Sequence, residues 1–153
     1  MSKTHKPAPS VIQLDWEDVD GNVTVTPSDK DRYVVKVRTA LKRLQRGGDI
    51  EAVERKLALL QRELGAWLRE RAGIQQAFLT MRDGGFLFLV VKEKAEYDEA
   101  FEDALTDLDI QIAKDIDLAG IPLDVMALPC VSQQAADHFL DGSFAFRFAK
   151  ASE

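Results

Sequence analysis

Cys130 and His138 are the residues of this sequence whose types could support nucleophilic catalysis. A thiolate becomes a good nucleophile when a neighbouring base removes its proton, and a histidine is the usual base. Such a pair also needs a third group that orients the histidine, and a lone, partly exposed histidine on a helix is far more often incidental. We therefore expect no catalytic pair. Because Cys130 is the only cysteine, an intrachain disulfide and a multi-cysteine zinc site are also excluded.

A second candidate is a pair of carboxylates on a strongly acidic segment. Residues 93–124 hold eleven Asp or Glu against two Lys or Arg, and Asp98 and Glu102 fall one helical turn apart within it. Hard cations bind clustered carboxylates, but a protein cage needs ligands from several directions. We therefore predict no metal site here. The simpler interpretation is a solvated helix face whose charge could select a binding partner.

Two longer acidic patterns fail the chemistry that they suggest. Residues 115–126 begin like a calcium-binding loop, but the last position is Met126, where a bidentate glutamate is required. Asp107 and Asp109 resemble the carboxylate pair of a metal-dependent nucleotidyl transferase, yet residues two apart on a helix face different directions. The sequence therefore predicts no metal, no cofactor and no catalytic residue.

Positive charge gathers in residues 30–71, where twelve Lys or Arg stand against six Asp or Glu. The residues that could form a phosphate-binding stripe there are Lys36, Arg38, Lys42, Arg43 and Arg46. The formal net charge of the chain is −6 at pH 7, which disfavours nucleic-acid binding over the whole surface. A solvated face opposite an apolar seam is again the simpler interpretation.

Two apolar seams predict that this basic segment is an antiparallel helical hairpin over about 29–72. The first seam has heptad-like spacing and consists of Val34, Val37, Leu41 and Leu44. The second seam consists of Ile50, Val53, Leu57, Leu60, Leu64 and Trp67. Ser28 is the expected N-cap, and Gly47-Gly48 the connection. We expect the seams to pack on each other, with dimerisation through them as the alternative.

Alternating and apolar runs predict a small mixed sheet. Residues 11–25 alternate around an Asp-Gly pair, which is typical of a β-hairpin. A second hairpin is expected over 74–91, and its later strand is apolar on both faces, so it should be central. An amphipathic helix over 95–116 and a strand over 123–128 would complete a right-handed strand, helix, strand crossover into a parallel pair.

The last predicted elements are a short helix from Ser132 to Leu140 and an extended aromatic segment. Phe144, Phe146 and Phe148 alternate, so an extended backbone places their three rings on one side. Packing on the parent sheet is the simpler interpretation of these rings. Addition of this strand to a partner protein is the alternative, and it makes the segment a candidate docking contact.

These elements predict an α+β fold with a small mixed β-sheet, formed by a hairpin and a strand-helix-strand crossover, beside an antiparallel helical hairpin. With 153 residues, we expect one domain over 11–153, its sheet-forming part at about 74–148, after a flexible tail over 1–10. The other histidine, His5, lies in that tail. The absence of a long apolar run and of a signal-peptide pattern favours a cytoplasmic protein.

Because no complete catalytic constellation is found, the leading hypothesis is a non-enzymatic protein-interaction or assembly module, such as an accessory subunit of a larger complex. Its candidate partner-binding residues are Phe144, Phe146, Phe148, Asp98 and Glu102. The partner would be another protein or a second copy of the chain. The first alternative is a nucleic-acid-associated regulator that uses the basic hairpin. The second is a small metal- or thiol-dependent enzyme.

Overall fold

The strands lie together in one six-stranded mixed sheet with helices packed against it. The computed structural model describes residues 11–43, 50–82, 85–118, 121–129 and 145–150. Its strands are β1 (Val11–Val19), β2 (Asn22–Pro27), β3 (Ile74–Arg82), β4 (Gly85–Lys92), β5 (Leu123–Leu128) and β6 (Ala145–Lys150). Its α-helices are α1 (Lys30–Arg43), α2 (Ile50–Arg69) and α3 (Glu99–Lys114), and a 3-10 turn spans Ile116–Leu118. The predicted α+β class is therefore confirmed.

The order of strands across the sheet is β2, β1, β6, β3, β4, β5. β1 pairs antiparallel with β2 and parallel with β6, and β3 pairs antiparallel with both β6 and β4. β4 and β5 form a second parallel pair, with α3 between them in the chain. The late strand β6 thus joins the N-terminal hairpin to the remaining strands, a pairing that the sequence did not predict.

The turn between β1 and β2 follows from its two residues. Asp20 and Gly21 have φ angles of 52° and 83°, and positive φ at both central positions is the mark of a type I′ hairpin turn. The carboxylate of Asp18 accepts a hydrogen bond from the Gly21 amide at 3.1 Å. This turn fixes the register in which Trp16 lies opposite Val25.

One face of the sheet carries the main core and the described helices. The buried seam residues Leu57, Leu60 and Leu64 of α2 belong to the same apolar cluster as strand residues such as Leu14 and Phe88. Phe88 makes edge-to-face contacts with Trp67 and Phe148, with ring centroids 5.9 and 6.0 Å apart. The α2 seam therefore packs on the sheet, most extensively on β2, and this positions the helix.

The start of α1 corrects two sequence expectations. Asp29, and not Ser28, caps the helix, because the Asp29 carboxylate accepts from the Arg32 amide at 3.1 Å. Ser28 instead donates its amide and its hydroxyl to the carbonyl of Gln13 on β1, at 2.9 and 3.2 Å. The expected α1 seam is also wrong at Val34, which is 42% exposed, while the neighbouring Tyr33 packs on Phe146 of β6.

Gly65 allows α2 to approach the sheet closely. A Cβ atom at this position would stand 2.9 Å from Cγ2 of Val25 and 3.2 Å from Cγ1 of Val23. Both valines belong to β2, and their β-branched side chains have little freedom to move away. The glycine therefore offsets its low helix propensity by letting the helix backbone lie directly on β2.

The opposite face of the sheet holds a smaller buried cluster formed by Phe78, Leu89, Val91 and Ala145. No residue of a described helix belongs to this cluster. β4 is buried on both faces from Phe86 to Lys92 and lies between β3 and β5. The predicted tail 1–10 and the predicted helix 132–140 fall outside the described residues. No helix in the described ranges combines the length and apolar character that crossing a membrane requires.

Candidate binding surfaces

The candidate aromatic segment lies inside the sheet. Phe146 and Phe148 are 1% and 7% exposed, and their strand β6 is paired on one side with β1 and on the other with β3. Phe144 falls outside the described residues. The described part of this segment therefore presents neither a free strand edge nor an exposed ring to a partner.

The acidic pair lies at the start of α3. Asp98 is the N-cap of this helix, and its carboxylate accepts from the Phe101 amide at 3.2 Å. The backbone amide of Glu102 donates to the Asp98 carbonyl at 3.0 Å, and the Glu102 side chain is half-buried. Within the described ranges, no three His, Cys, Asp or Glu residues are grouped to hold a metal ion. His5, Cys130 and His138 fall outside those ranges.

The predicted basic stripe is spread along α1. Arg38 forms an ion pair with Glu54 of α2, with Nε and Oε1 3.2 Å apart but not aligned as a hydrogen bond. Lys36 is half-buried, and Lys42 and Arg43 lie in the last turn of the helix. Arg46 falls outside the described residues. The structure thus assigns one of these cations to the contact between the two helices.

β5 forms one edge of the sheet, and among the described strands it pairs with β4 alone. It is apolar apart from Asp124, and its side chains alternate between half-buried and exposed along most of its length. Met126 is 36% exposed, and Pro122 and Pro129 flank the strand. The opposite edge strand, β2, carries two threonines and an asparagine and ends at a proline. The two edges therefore differ in polarity, and β5 is the apolar one.

α3 gives this apolar edge an acidic border. The helix packs against β5, and its buried residues are Phe101, Ala104, Leu105, Leu108 and Ile112. Four of its carboxylate residues, Glu99, Asp103, Asp107 and Asp109, are exposed. An extended chain that approached β5 would therefore meet a negative potential.

A cleft of about 440 Å³ lies where the ends of β1 and β6 meet the start of β3. Three cations line it, Arg71, Arg147 and Lys150, and no carboxylate belongs to its described lining. Trp16 and Phe148 provide its apolar wall. The sequence did not predict this site, because its residues come from four separate elements.

Two of these cations lie against tryptophan rings. The Lys150 ammonium is 5.8 Å from the centroid of Trp16, and the Arg71 guanidinium carbon is 5.5 Å from the centroid of Trp67. Arg147 donates from Nη2 to Oε1 of Gln13 at 3.0 Å on the opposite face of the sheet, where it is paired with Phe78 of β3. Cation–π contacts hold the Arg71 and Lys150 charges in place without neutralising them.

A second cleft of about 650 Å³ lies between the end of β4 and the start of α3. The buried Lys92 donates from Nζ to the Glu96 carbonyl at 3.1 Å and lies 5.9 Å from the Phe101 ring centroid. The other charged residues of the lining are Glu93, Lys94, Glu96, Asp98 and Glu99. Carboxylates outnumber cations here, so the site offers no consistent charge to a ligand.

The sequence also did not predict a buried polar pair between α1 and α2. The Tyr33 hydroxyl donates to Oε1 of Gln61 at 3.2 Å. Burial raises the pKa of Tyr33 above its usual value, the hydrogen bond to Gln61 opposes this shift, and the nearby Glu54 adds to it. Gln61 is buried, and its Nε2 has no hydrogen-bond partner among the described residues. Gln61 is not one of the heptad-spaced seam residues of α2, so the seam pattern did not predict that it is buried.

Comparison of the chain with protein-family models, with curated proteins and with solved structures gave no match.

Proposed function

We propose that the protein is a non-enzymatic, cytoplasmic interaction module, an accessory subunit whose edge strand β5 receives an extended basic segment of a partner protein. The observation that carries this proposal is the combination of an apolar sheet edge with an acidic helix packed beside it. The edge supplies backbone hydrogen-bonding groups, and the helix selects the charge of the incoming segment.

The composition of β5 supports a docking role. An outer strand exposes a row of backbone N–H and C=O groups, and proteins usually protect such edges with lysines, prolines or bulges inside the strand. β5 has none of these devices between Leu123 and Leu128, and its only charge is Asp124. Its side chains Val125 and Ala127 are half-buried, so an added strand would cover apolar area that is still exposed.

The charge beside the edge favours a basic partner over a second copy of this chain. Two copies joined edge to edge with their helices on the same side would bring two α3 helices next to each other. The exposed Glu99, Asp103, Asp107 and Asp109 would then face like charges. A partner strand that alternates apolar and basic residues would instead place its cations on the face of the sheet that carries α3 and its apolar side chains on the other face, beside Met126.

The test is selection of short random peptides, displayed on phage, against the intact protein. Enriched peptides should alternate apolar and basic residues and should raise the hydrogen-exchange protection of β5 amides. Binding of these peptides should fall at least about tenfold with Met126→Lys, which adds a positive charge to the edge. The matched control is Val35→Lys on α1. It adds the same single charge at another exposed apolar residue, but it lies away from β5.

Three results would contradict the proposal. No enrichment would remove the docking role. Peptides that bind both lysine variants equally would place the contact elsewhere on the surface. Self-association that Met126→Lys abolishes and Val35→Lys preserves, measured by analytical ultracentrifugation, would make a second copy the occupant of the edge.

A further inference from the structure

Among the described residues, Arg71 and Lys150 of the cleft between β1, β6 and β3 have no carboxylate partner, although the chain is rich in acids. It holds 26 Asp or Glu against 20 Lys or Arg, so acidic partners are plentiful. Arg69, for example, forms ion pairs with two of these acids, Asp18 at 3.5 Å and Glu70 at 2.8 Å. Arg71, two positions later, lies instead on the Trp67 ring. Within the described structure, negative charge is therefore missing from this site.

Two cations that no described carboxylate neutralises, Arg71 and Lys150, lie beside one cavity and specify an anionic ligand. Positive groups that line a common cleft repel one another, and an anion that binds between them removes this cost. Guanidinium groups donate paired hydrogen bonds to phosphate or carboxylate, and an ammonium adds a point charge. Arg71 and Lys150 together supply both kinds of donor, and such a pair fits the multiple oxygens of a phosphate group.

The size and walls of the cleft define the rest of the ligand. A volume of about 440 Å³ lies within the range of small-molecule sites. Trp16 and Phe148 provide an apolar wall for a ring or short apolar group beside the phosphate. A long polyanion would also extend over the surface of a chain with net charge −6, whereas a small ligand contacts the cleft alone.

We propose that this cleft binds a small phosphorylated molecule of about nucleotide size, with its phosphate held by Arg71 and Lys150. The site is independent of the proposed docking edge, because it lies at the β1–β6 side of the sheet, whereas β5 forms the far edge. Binding would bridge the end of α2 to strand β6 and would stabilise the folded state by an amount that rises with the logarithm of ligand concentration.

Two tryptophans of the protein can report binding at this site by a change in their fluorescence. Trp16 and Trp67 are its only tryptophans, and each contacts a different cation of the cleft. An anion that draws Lys150 or Arg71 away from its ring should change tryptophan emission. Pyrophosphate, which does not absorb in this range, is the first probe, and ADP is the second, measured by calorimetry.

The decisive comparison uses variants with the same change of charge. Lys150→Gln and Arg71→Gln should each weaken pyrophosphate or ADP binding about tenfold or more, because each removes a charge-assisted hydrogen bond. The control is Lys114→Gln in the last turn of α3, an exposed lysine that does not line the cleft. Binding by this control should equal that of the wild type, and unchanged thermal unfolding would show that all three variants fold.

Several outcomes would overturn the inference. Absence of binding by both probes at millimolar concentration would remove the site. An equal loss in Lys114→Gln and Lys150→Gln would show a general charge effect without a site. If the protein binds a single-stranded oligonucleotide but neither pyrophosphate nor ADP, the ligand of the cleft is a nucleic acid and not a small molecule.

Discussion

Replacing Tyr33 with phenylalanine tests the buried polar pair between α1 and α2. The change removes the 3.2 Å hydrogen bond to Gln61 and leaves Oε1 of that residue without its donor. A buried acceptor that loses its partner costs about 1–3 kcal/mol. Nε2 of Gln61 already has no partner within the described structure, so the variant would bury an amide unsatisfied at both ends. We expect the free energy of unfolding to fall by about 2 kcal/mol.

Gln61→Leu should behave differently although it breaks the same hydrogen bond. The leucine removes both amide atoms and places apolar atoms in an apolar environment. The Tyr33 hydroxyl is only partly buried and can turn to water. We therefore expect stability within about 1 kcal/mol of the wild type. The double variant should be more stable than Tyr33→Phe alone, because the unsatisfied amide is gone.

Urea denaturation of the four proteins at neutral pH measures this cycle directly. A loss of more than about 2 kcal/mol in Gln61→Leu would refute the reasoning, because it would mean that the buried amide is well satisfied in the folded protein. A double variant no more stable than Tyr33→Phe would refute it in the same way.

The raised pKa of Tyr33 adds a pH dependence to the same experiment. The folded state keeps the phenolic proton at a pH where the unfolded state, with a pKa near 10.0, has lost it. The contribution of this group is therefore complete below about pH 10 and is lost as the pH rises towards the folded-state value. The stability advantage of the wild type over Tyr33→Phe should shrink above about pH 10, and an advantage that grows there would contradict the assignment.

Substitutions at three further positions test the packing and the local geometry, each by thermal or urea denaturation. Gly65→Ala should destabilise by about 1–2 kcal/mol despite its better helix propensity, because the new Cβ meets Val25 of β2; a stabilised variant would show that α2 can move away. Gly21→Ala should cost about 1 kcal/mol through the positive φ of the turn, with no steric contact involved. Asp98→Ala should cost about 1 kcal/mol by removing the cap of α3, whereas Asp98→Asn should keep most of the stability.

Local patterns predicted the elements of this fold well, because they depend on neighbours in the chain. The α+β class follows from the apolar alternation and the helical seams. The strand over Leu123–Leu128 has the predicted bounds, since prolines limit it on both sides. The cap of α1 was misassigned by one residue, because Ser28 and Asp29 are both good caps. The choice between them is made by Gln13 of β1, far away in the sequence.

The candidate sites were harder to predict because they depend on which strands become neighbours. The alternation of Phe146 and Phe148 is compatible with a strand at the edge of a sheet and with a strand inside it. The pairing of β6 with β1 on one side and β3 on the other shows that the strand lies inside the sheet. The phosphate-binding cleft joins Trp16, Arg71 and Lys150, which share no sequence motif. The charge count of the sequence shows the basic excess of residues 30–71. It does not show that Arg71, the last residue of this range, lies in the cleft and apart from the stripe on α1.

The central position of β6 has a consequence for synthesis of the protein on the ribosome. The hairpin of β1 and β2 is made before the other described strands, yet the parallel partner of β1 in the sheet is the last described strand to be made. Until residues 145–150 emerge, β1 and β3 both lack the neighbour that separates them in the finished sheet. The nascent chain must therefore avoid direct pairing of β1 with β3, and cooperative folding should follow completion of this strand.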